Sequence, residues 1–335
     1  IFSIIGYGYC FENLFFSNKK KNLGYLGIYG IFSLIILSYV SYFFLTHNLI
    51  FNSILLLLGL AFFILFIIKN YNSEKKNIEL QLLIFLILSV AIFSAKNHDD
   101  FPYYHFPYSY ILTQHNLIVG LGQLNLGFRT PSSLFYLNSI FYLPYIKFYM
   151  FMMPSILILG FSNSIIYEKI INNIKLNQIN YITYFALLTL IFINIFFYRI
   201  SEHGTDKSAQ ILIFLLIIEI LFFLSLLKLD AHSLSRIYLL IGLIVSLKAF
   251  YVLYSIFIFI LLFKVLNKKK LYNGITFFVK NFFFISLIIF FILIVGSYFF
   301  STGCLIYPVS FTCFENFSWS VSKLEVIELN NWYEL

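Results

Sequence analysis

Charge is what this sequence has least of. Only 11% of its 335 residues are Asp, Glu, Lys or Arg, against about 25% in soluble globular domains. With 61% hydrophobic residues and a mean hydropathy of +0.91, that scarcity excludes a soluble protein. The recurrence of apolar segments along the whole chain excludes a single anchor. Proline is scarce too, and its six positions (Pro102, Pro107, Pro131, Pro144, Pro154 and Pro308) lie almost all in or near polar loops. That placement, with no clear internal repeat, argues against the broken midplane helices of transporters. A charged leader with a cleavage site is missing, so no signal peptide is recognisable. The chain opens on Ile1 and ends in a polar stretch with Trp332 and Tyr333, and it reads as a fragment cut at both ends. Phe (44) and Tyr (26) are so abundant that individual aromatics carry little signal.

What is present is a series of apolar segments. A bilayer core takes about 20 apolar residues as helix. Hydropathy places spans at roughly 1–17, 24–45, 50–68, 79–95, 149–167, 181–198, 209–227, 237–249, 250–266 and 280–299. The expected fold is therefore all-α, a polytopic transmembrane bundle of about ten spans with a long outer loop. The apolar stretch 237–266 is too long for one ordinary span, and Lys248 near its middle predicts a tight helical hairpin. One set of loops, including Lys19–Lys21, Lys75–Lys76 and Lys268–Lys270, holds fifteen of the 22 basic residues and four acids. The opposite set holds six basic residues and eight acids. Excess Lys and Arg mark the cytoplasmic side. The net charge of +8 is thus read as a topology signal and not as a nucleic-acid footprint. The expected location is a bacterial inner membrane, with the acidic loops facing the periplasm or exterior.

Three segments fall on that outer face. The first, 96–148, opens with His98-Asp99-Asp100-Phe101-Pro102-Tyr103-Tyr104-His105. Ionisable groups at the mouth of a membrane bundle are costly and usually functional. Farther on, Ser109–Val119 and Ser132–Tyr142 are too short to span and read as helices lying parallel to the membrane. Between them, Gly120–Gly127 reads as a flexible connector, since its glycine spacing is not the dinucleotide fingerprint. The second segment holds Arg199, Glu202, His203, Asp206 and Lys207 within nine residues and is expected to wall the same site. The third, 300–335, reads as the start of a cap, with Cys304 and Cys313 bridged in an oxidising compartment. Glu219 falls inside a span, where it should be neutral or paired. His98, His105 and His203 match no zinc spacing.

This layout resembles the GT-C superfamily of membrane glycosyltransferases. An acidic pair follows a span, a long loop with membrane-parallel helices comes next, then a series of helices that includes a lysine-bearing hairpin, and last a cap. The tail is also similar to bacterial membrane proteins of surface-polysaccharide assembly. The resemblance covers roughly 79–335. It implies N-terminal helices at 1–78, a core at 79–299 and the start of a cap at 300–335. It further implies transfer of a sugar from a polyprenyl-phosphate or -diphosphate carrier to a glycan, lipid or protein acceptor. Asp99 or Asp100 would be the general base. Arg129, Arg199, Lys207 and Lys248 are candidates to hold the departing phosphate. His98, Tyr103, Tyr104, His105, Glu202, His203 and Asp206 would support them. Asp99, Asp100 and Asp206 would suit Mg²⁺ or Mn²⁺ if a metal takes part. Competing readings are a polymerase or ligase of O-antigen type, a transporter or flippase, and a membrane subunit without a site.

Overall fold

The computed structural model describes residues 1–15, 21–94, 98–196, 198–268 and 271–334. Lys19, Lys20, Lys96, Lys269 and Lys270 of the loop cations, and the side chain of Arg199, lie outside what is described. Among the described residues the fold is helical, with only two isolated bridges, Leu143 with Lys147 and Cys304 with Cys313. Six helices are long and apolar enough to cross a membrane: Leu23–Tyr42, Leu49–Phe93, Phe148–Lys175, Thr205–Ser225, Ala249–Lys268 and Phe283–Thr302. Tyr181–Phe196 and Ala231–Leu247 are shorter apolar helices. Large side chains stand exposed along several of them, such as Ile64 at 58% and Phe93 at 87%. A lipid bilayer is the solvent that such a surface requires.

Helices α1 (Phe2–Phe15), α2 (Leu23–Tyr42) and α3 (Leu49–Leu88) pack through glycine. A Cβ on Gly8 would sit 1.7 Å from the carbonyl oxygen of Leu26, and one on Gly6 would sit 1.9 Å from that of Gly59. Backbones approach this closely only where the side chain is absent. Helix α3 is not a straight rod. From Asn52 to Ser94 a straight helix would cover about 63 Å at ~1.5 Å per residue. Yet Asn52 donates to the Tyr142 carbonyl (3.0 Å), the Tyr142 ring lies 6.2 Å from Phe151, and Phe151 lies 6.3 Å from His203. Two residues before His203, Ser201 bonds Ser94. That path is much shorter than 63 Å, so the helical segment doubles back and both its ends lie at one end of the bundle. The polar stretch 69–78 lies between the two spans that hydropathy predicts, inside α3, which is helical from Leu49 to Leu88 without a break.

Asn48 caps the start of α3, accepting from the Phe51 amide at 2.9 Å. Beside it His47 is fully buried, with Nδ1 2.5 Å from Ser139 Oγ and Nε2 2.9 Å from Ser41 Oγ. Burial pushes its pKa down to about 4. The folded value lies below the ordinary 6.5, so the unfolded chain binds the proton more readily between them. Stability is therefore full above about pH 6.5 and falls as the pH drops toward 4, by at most about 3 kcal/mol. Thermal unfolding of the detergent-solubilised protein from pH 7.5 to 4.5 should show this slope, and His47→Asn should flatten it. An unchanged slope would refute the assignment.

The second half repeats the up-and-down course. Helix α7 (Met153–Lys175) joins α8 (Tyr181–Phe196) through two reciprocal amide bonds between Asn163 and Asn194, at 2.9 and 2.8 Å. Helices α9 (Thr205–Ser225), α10 (Ala231–Leu247) and α11 (Phe257–Lys268) follow. Lys248 has extended backbone (φ −149, ψ 112) and breaks the helix after α10. A 3₁₀ turn, Ala249–Ile256, then leads into α11. Lys248 bonds Asp206 at the start of α9, whereas Lys264 donates to the carbonyls of Phe223, Leu224 (2.7 Å) and Leu226 (3.0 Å) at its end. The lysine thus satisfies orphan carbonyls of a helix terminus. Those contacts make 231–268 the hairpin that its length and Lys248 predict. After the short α12 (Leu271–Val279), α13 (Phe282–Thr302) returns to the Lys248 end. There a disulfide between Cys304 and Cys313, Cα atoms 3.8 Å apart, closes a small ring that contains a cis Tyr307–Pro308 bond. The last helix, α14 (Lys323–Glu334), packs on that ring. This is the cap end.

At the cap end lie α4 (Phe106–Gln114), α5 (Leu121–Leu124) and α6 (Ser133–Ser139). Two expectations fail here. Every residue of α6 is buried, so it is core rather than a helix lying in the lipid interface. Ser132 Oγ donates to the Leu247 carbonyl (2.5 Å) and Ser133 Oγ pairs with Ser246 Oγ (2.8 Å), which ties α6 to the end of α10. The segment 120–127 is no loose connector either. Gly120 at φ 81 donates its amide to the Phe300 carbonyl (2.8 Å), and Gly122 packs against Ser301.

Candidate active site at the cap end

The break at Lys248 opens a cleft of about 300 Å³. Its floor is Leu247, Lys248, Ala249 and Phe250, with Thr205 from α9 and Tyr298 from α13. One wall is Tyr104, Thr130, Pro131, Ser132 and Phe135 of the first outer segment. The roof is Ile306, Tyr307, Pro308 and Val309, all inside the disulfide ring. Lys248 Nζ lies 3.1 Å from Asp206 Oδ2, both side chains being partly exposed (39% and 49%). A cation with its carboxylate partner thus stands at the edge of a cleft otherwise lined by aliphatic side chains, rings and prolines, with hydroxyls from Thr130, Ser132, Thr205 and the tyrosines.

The segments 96–148 and 199–207, expected on one face, meet. His105 is buried, and its Nδ1 lies 3.2 Å from the Glu202 carbonyl, which requires the proton on Nδ1. Burial holds its pKa below the usual histidine value, against the opposing pull of the Glu202 carbonyl and Asp100. His203, at φ 57, packs its ring 4.9 Å from Phe101. A non-glycine residue in that region is uncommon, and here it turns the chain from 198–202 into α9. Tyr104 meets His105 edge-to-face at 4.3 Å and is wedged against Gly127. Asp100 caps no helix through its side chain. Its carboxylate lies 3.6 Å from His98 Nδ1, and both side chains are 44% exposed. Asp99, His98 and Tyr103 are exposed. Asp99 and Asp100 flank the cleft rather than line it. Glu202 is buried, and Lys207 is half-buried on the first turn of α9.

Arg129 departs from its expected role. It is buried, its Nε donating to the Gly122 carbonyl (2.9 Å), Nη1 to the Tyr307 hydroxyl (3.2 Å) and Nη2 to Glu325. A guanidinium spent on three protein acceptors is a tether for the cap, not a free phosphate ligand. A family model described as a domain of unknown function, DUF8201, matches residues 1–333. The chain belongs to that family. No curated protein and no solved structure matches it.

Of the residues expected to suit a metal, Asp206 pairs with Lys248 and Asp100 lies beside His98. The residues missed by sequence reading are the cleft's own surfaces, namely Phe250, Tyr298 and Tyr307. Only the two-cysteine ring gave any signal for them.

Below the cleft, toward the opposite end, runs an apolar groove of about 310 Å³. It is lined by Gly242 and Val245 of α10, Val252, Ser255 and Ile258 of the hairpin's second limb, and Leu287, Phe290, Phe291 and Ile294 of α13. The two spaces adjoin. Val245 is two residues from Leu247, Val252 two from Phe250, and Ile294 lies one helical turn from Tyr298.

Proposed function

We propose that this protein is a membrane glycosyltransferase that moves a sugar from a polyprenyl-phosphate or -diphosphate carrier to an acceptor at its cap end. The observation that carries this reading is the adjoining pair of spaces. A largely apolar cleft that holds one lysine and a few hydroxyls adjoins an apolar groove along three membrane helices, which suits an amphiphile with an anionic head held by the lysine and a hydrocarbon tail. Read as ten crossings, α1, α2, the two limbs of α3, α7, α8, α9, α10, α11 and α13 would alternate across the bilayer, and the lysine bias would then set the cap on the non-cytoplasmic face. In a bacterium that face is the periplasm or exterior.

In the reaction an acceptor hydroxyl attacks the anomeric carbon. The new glycosidic C–O bond forms as the bond from that carbon to the carrier phosphate breaks, and the phosphate leaves with the electron pair. Asp100 takes the hydroxyl proton. Lys248 exchanges Asp206 for the departing phosphate, where negative charge grows. His105 stays neutral and holds the 202–206 turn against Tyr104. Lys248→Gln removes a charge-assisted hydrogen bond and should weaken carrier binding about ten- to hundredfold. Proteoliposomes supplied with polyprenyl-phosphate and polyprenyl-diphosphate sugars test this. No transfer from any such donor by the folded protein, or an unchanged carrier KM in Lys248→Gln, would overturn it.

A further inference from the structure

At the end of the bundle opposite the cleft, α12 joins α11 to α13 and has three distinct faces. At about 100° per residue, Gly274 and Phe278 share the face buried against the protein. Leu271, Ile275, Val279 and Tyr272 form an adjacent stripe that is 43–79% exposed. Asn273, Thr276 and Lys280 form the third face, and they line a shallow cleft of about 470 Å³ together with Ala231, Phe277 and Asn281. Lys280 forms no ion pair with any described carboxylate. An exposed apolar stripe beside an exposed polar face suits neither water nor the bilayer core. It suits the boundary between them, with the stripe among acyl chains and the polar face at headgroup level.

We propose that α12 lies in the bilayer interface and that its polar face, with Lys280 as the charged group, is a binding site for the headgroup of an anionic phospholipid. The occupant is a lipid and not a free anion. Helices α11 and α13, on which α12 packs, also expose large apolar side chains, among them Phe259, Phe263 and Ile292, so the chains of a lipid whose headgroup sits on the polar face meet apolar surface. One lysine near a membrane surface contributes about a fivefold preference for anionic lipid. This inference is independent of the glycosyltransferase reading and needs no activity to test.

Full-length protein in nanodiscs, on a Cys10→Ser background, can carry a fluorophore at Ile275→Cys or Asn273→Cys. The Ile275 label should be quenched by spin-labelled lipid and shielded from iodide, and the Asn273 label the reverse. Equal iodide quenching at both sites would overturn the interfacial placement. Fluorescent phosphatidylglycerol should bind more tightly than phosphatidylcholine, and Lys280→Gln should reduce that preference about fivefold. No preference, or one unchanged by Lys280→Gln, would overturn the headgroup site. Displacement of the lipid by millimolar inorganic phosphate would show a free-anion site and overturn the choice of a lipid.

Discussion

Asp100→Asn, made in the complete protein, should lower sugar transfer by about 10²–10⁴-fold, the usual loss when a general base is removed, while Asp99→Asn should leave it nearly unchanged. The two acids are neighbours in sequence but not in environment. Asp100 starts the single π-turn Phe101–His105 that carries Tyr104 into the cleft wall. Its charge is felt at His105, which also feels Lys248. Asp99 is exposed, and its backbone carbonyl accepts from the Tyr103 amide. Asp100 lies four residues before Tyr104, which lines the cleft. The substitution is nearly isosteric and lies on a surface turn, so the variant should unfold at the same temperature as the parent. Transfer assays with both variants decide the assignment. Full activity in both would remove the base, and loss in Asp99→Asn alone would reassign it.

The elements legible in the sequence were those set by hydropathy over long windows. The 237–266 stretch exceeded one span, and Lys248 marks the break because an extended residue there frees the lysine to reach Asp206. The polar residues 69–78 separate the two spans that hydropathy places within α3. Shorter windows misled. An apolar segment the length of Ser132–Tyr142 has the same pattern in a membrane interface as in a protein core, and only its serine contacts to α10 decide between them. Arg129 looked free because its acceptor Glu325 is 196 residues away. The cleft surfaces were hidden in a sequence so rich in Phe and Tyr that no single ring stood out. Lys169 and Arg236 lie near the ends of apolar runs and are among the fifteen basic residues of the lysine-rich loops, yet both turn inward to Glu219.

That inward turn sets the second large effect. Glu219 is fully buried on α9. Lys169 of α7 pairs with one of its oxygens, and Nη1 of Arg236 on α10 lies 4.0 Å from the other. Arg236 also stacks over the Tyr25 ring of α2, 3.9 Å from its centroid. One carboxylate thus holds two cations between four helices at the end away from the cleft. Removing one partner of a buried pair leaves an uncompensated charge and costs about 3–5 kcal/mol. Glu219→Gln should therefore lower the thermal midpoint sharply in detergent and reduce the amount of inserted protein. Charge, not shape, is the cause, because Gln is close to Glu in volume. Removing a cation as well should then repair much of the damage, so Glu219→Gln with Lys169→Met should be more stable than Glu219→Gln alone. Three variants by differential scanning fluorimetry settle it. If the double variant is as unstable as the sum of the two single ones, the three groups are not energetically coupled and the ion network is not what joins α7, α9 and α10.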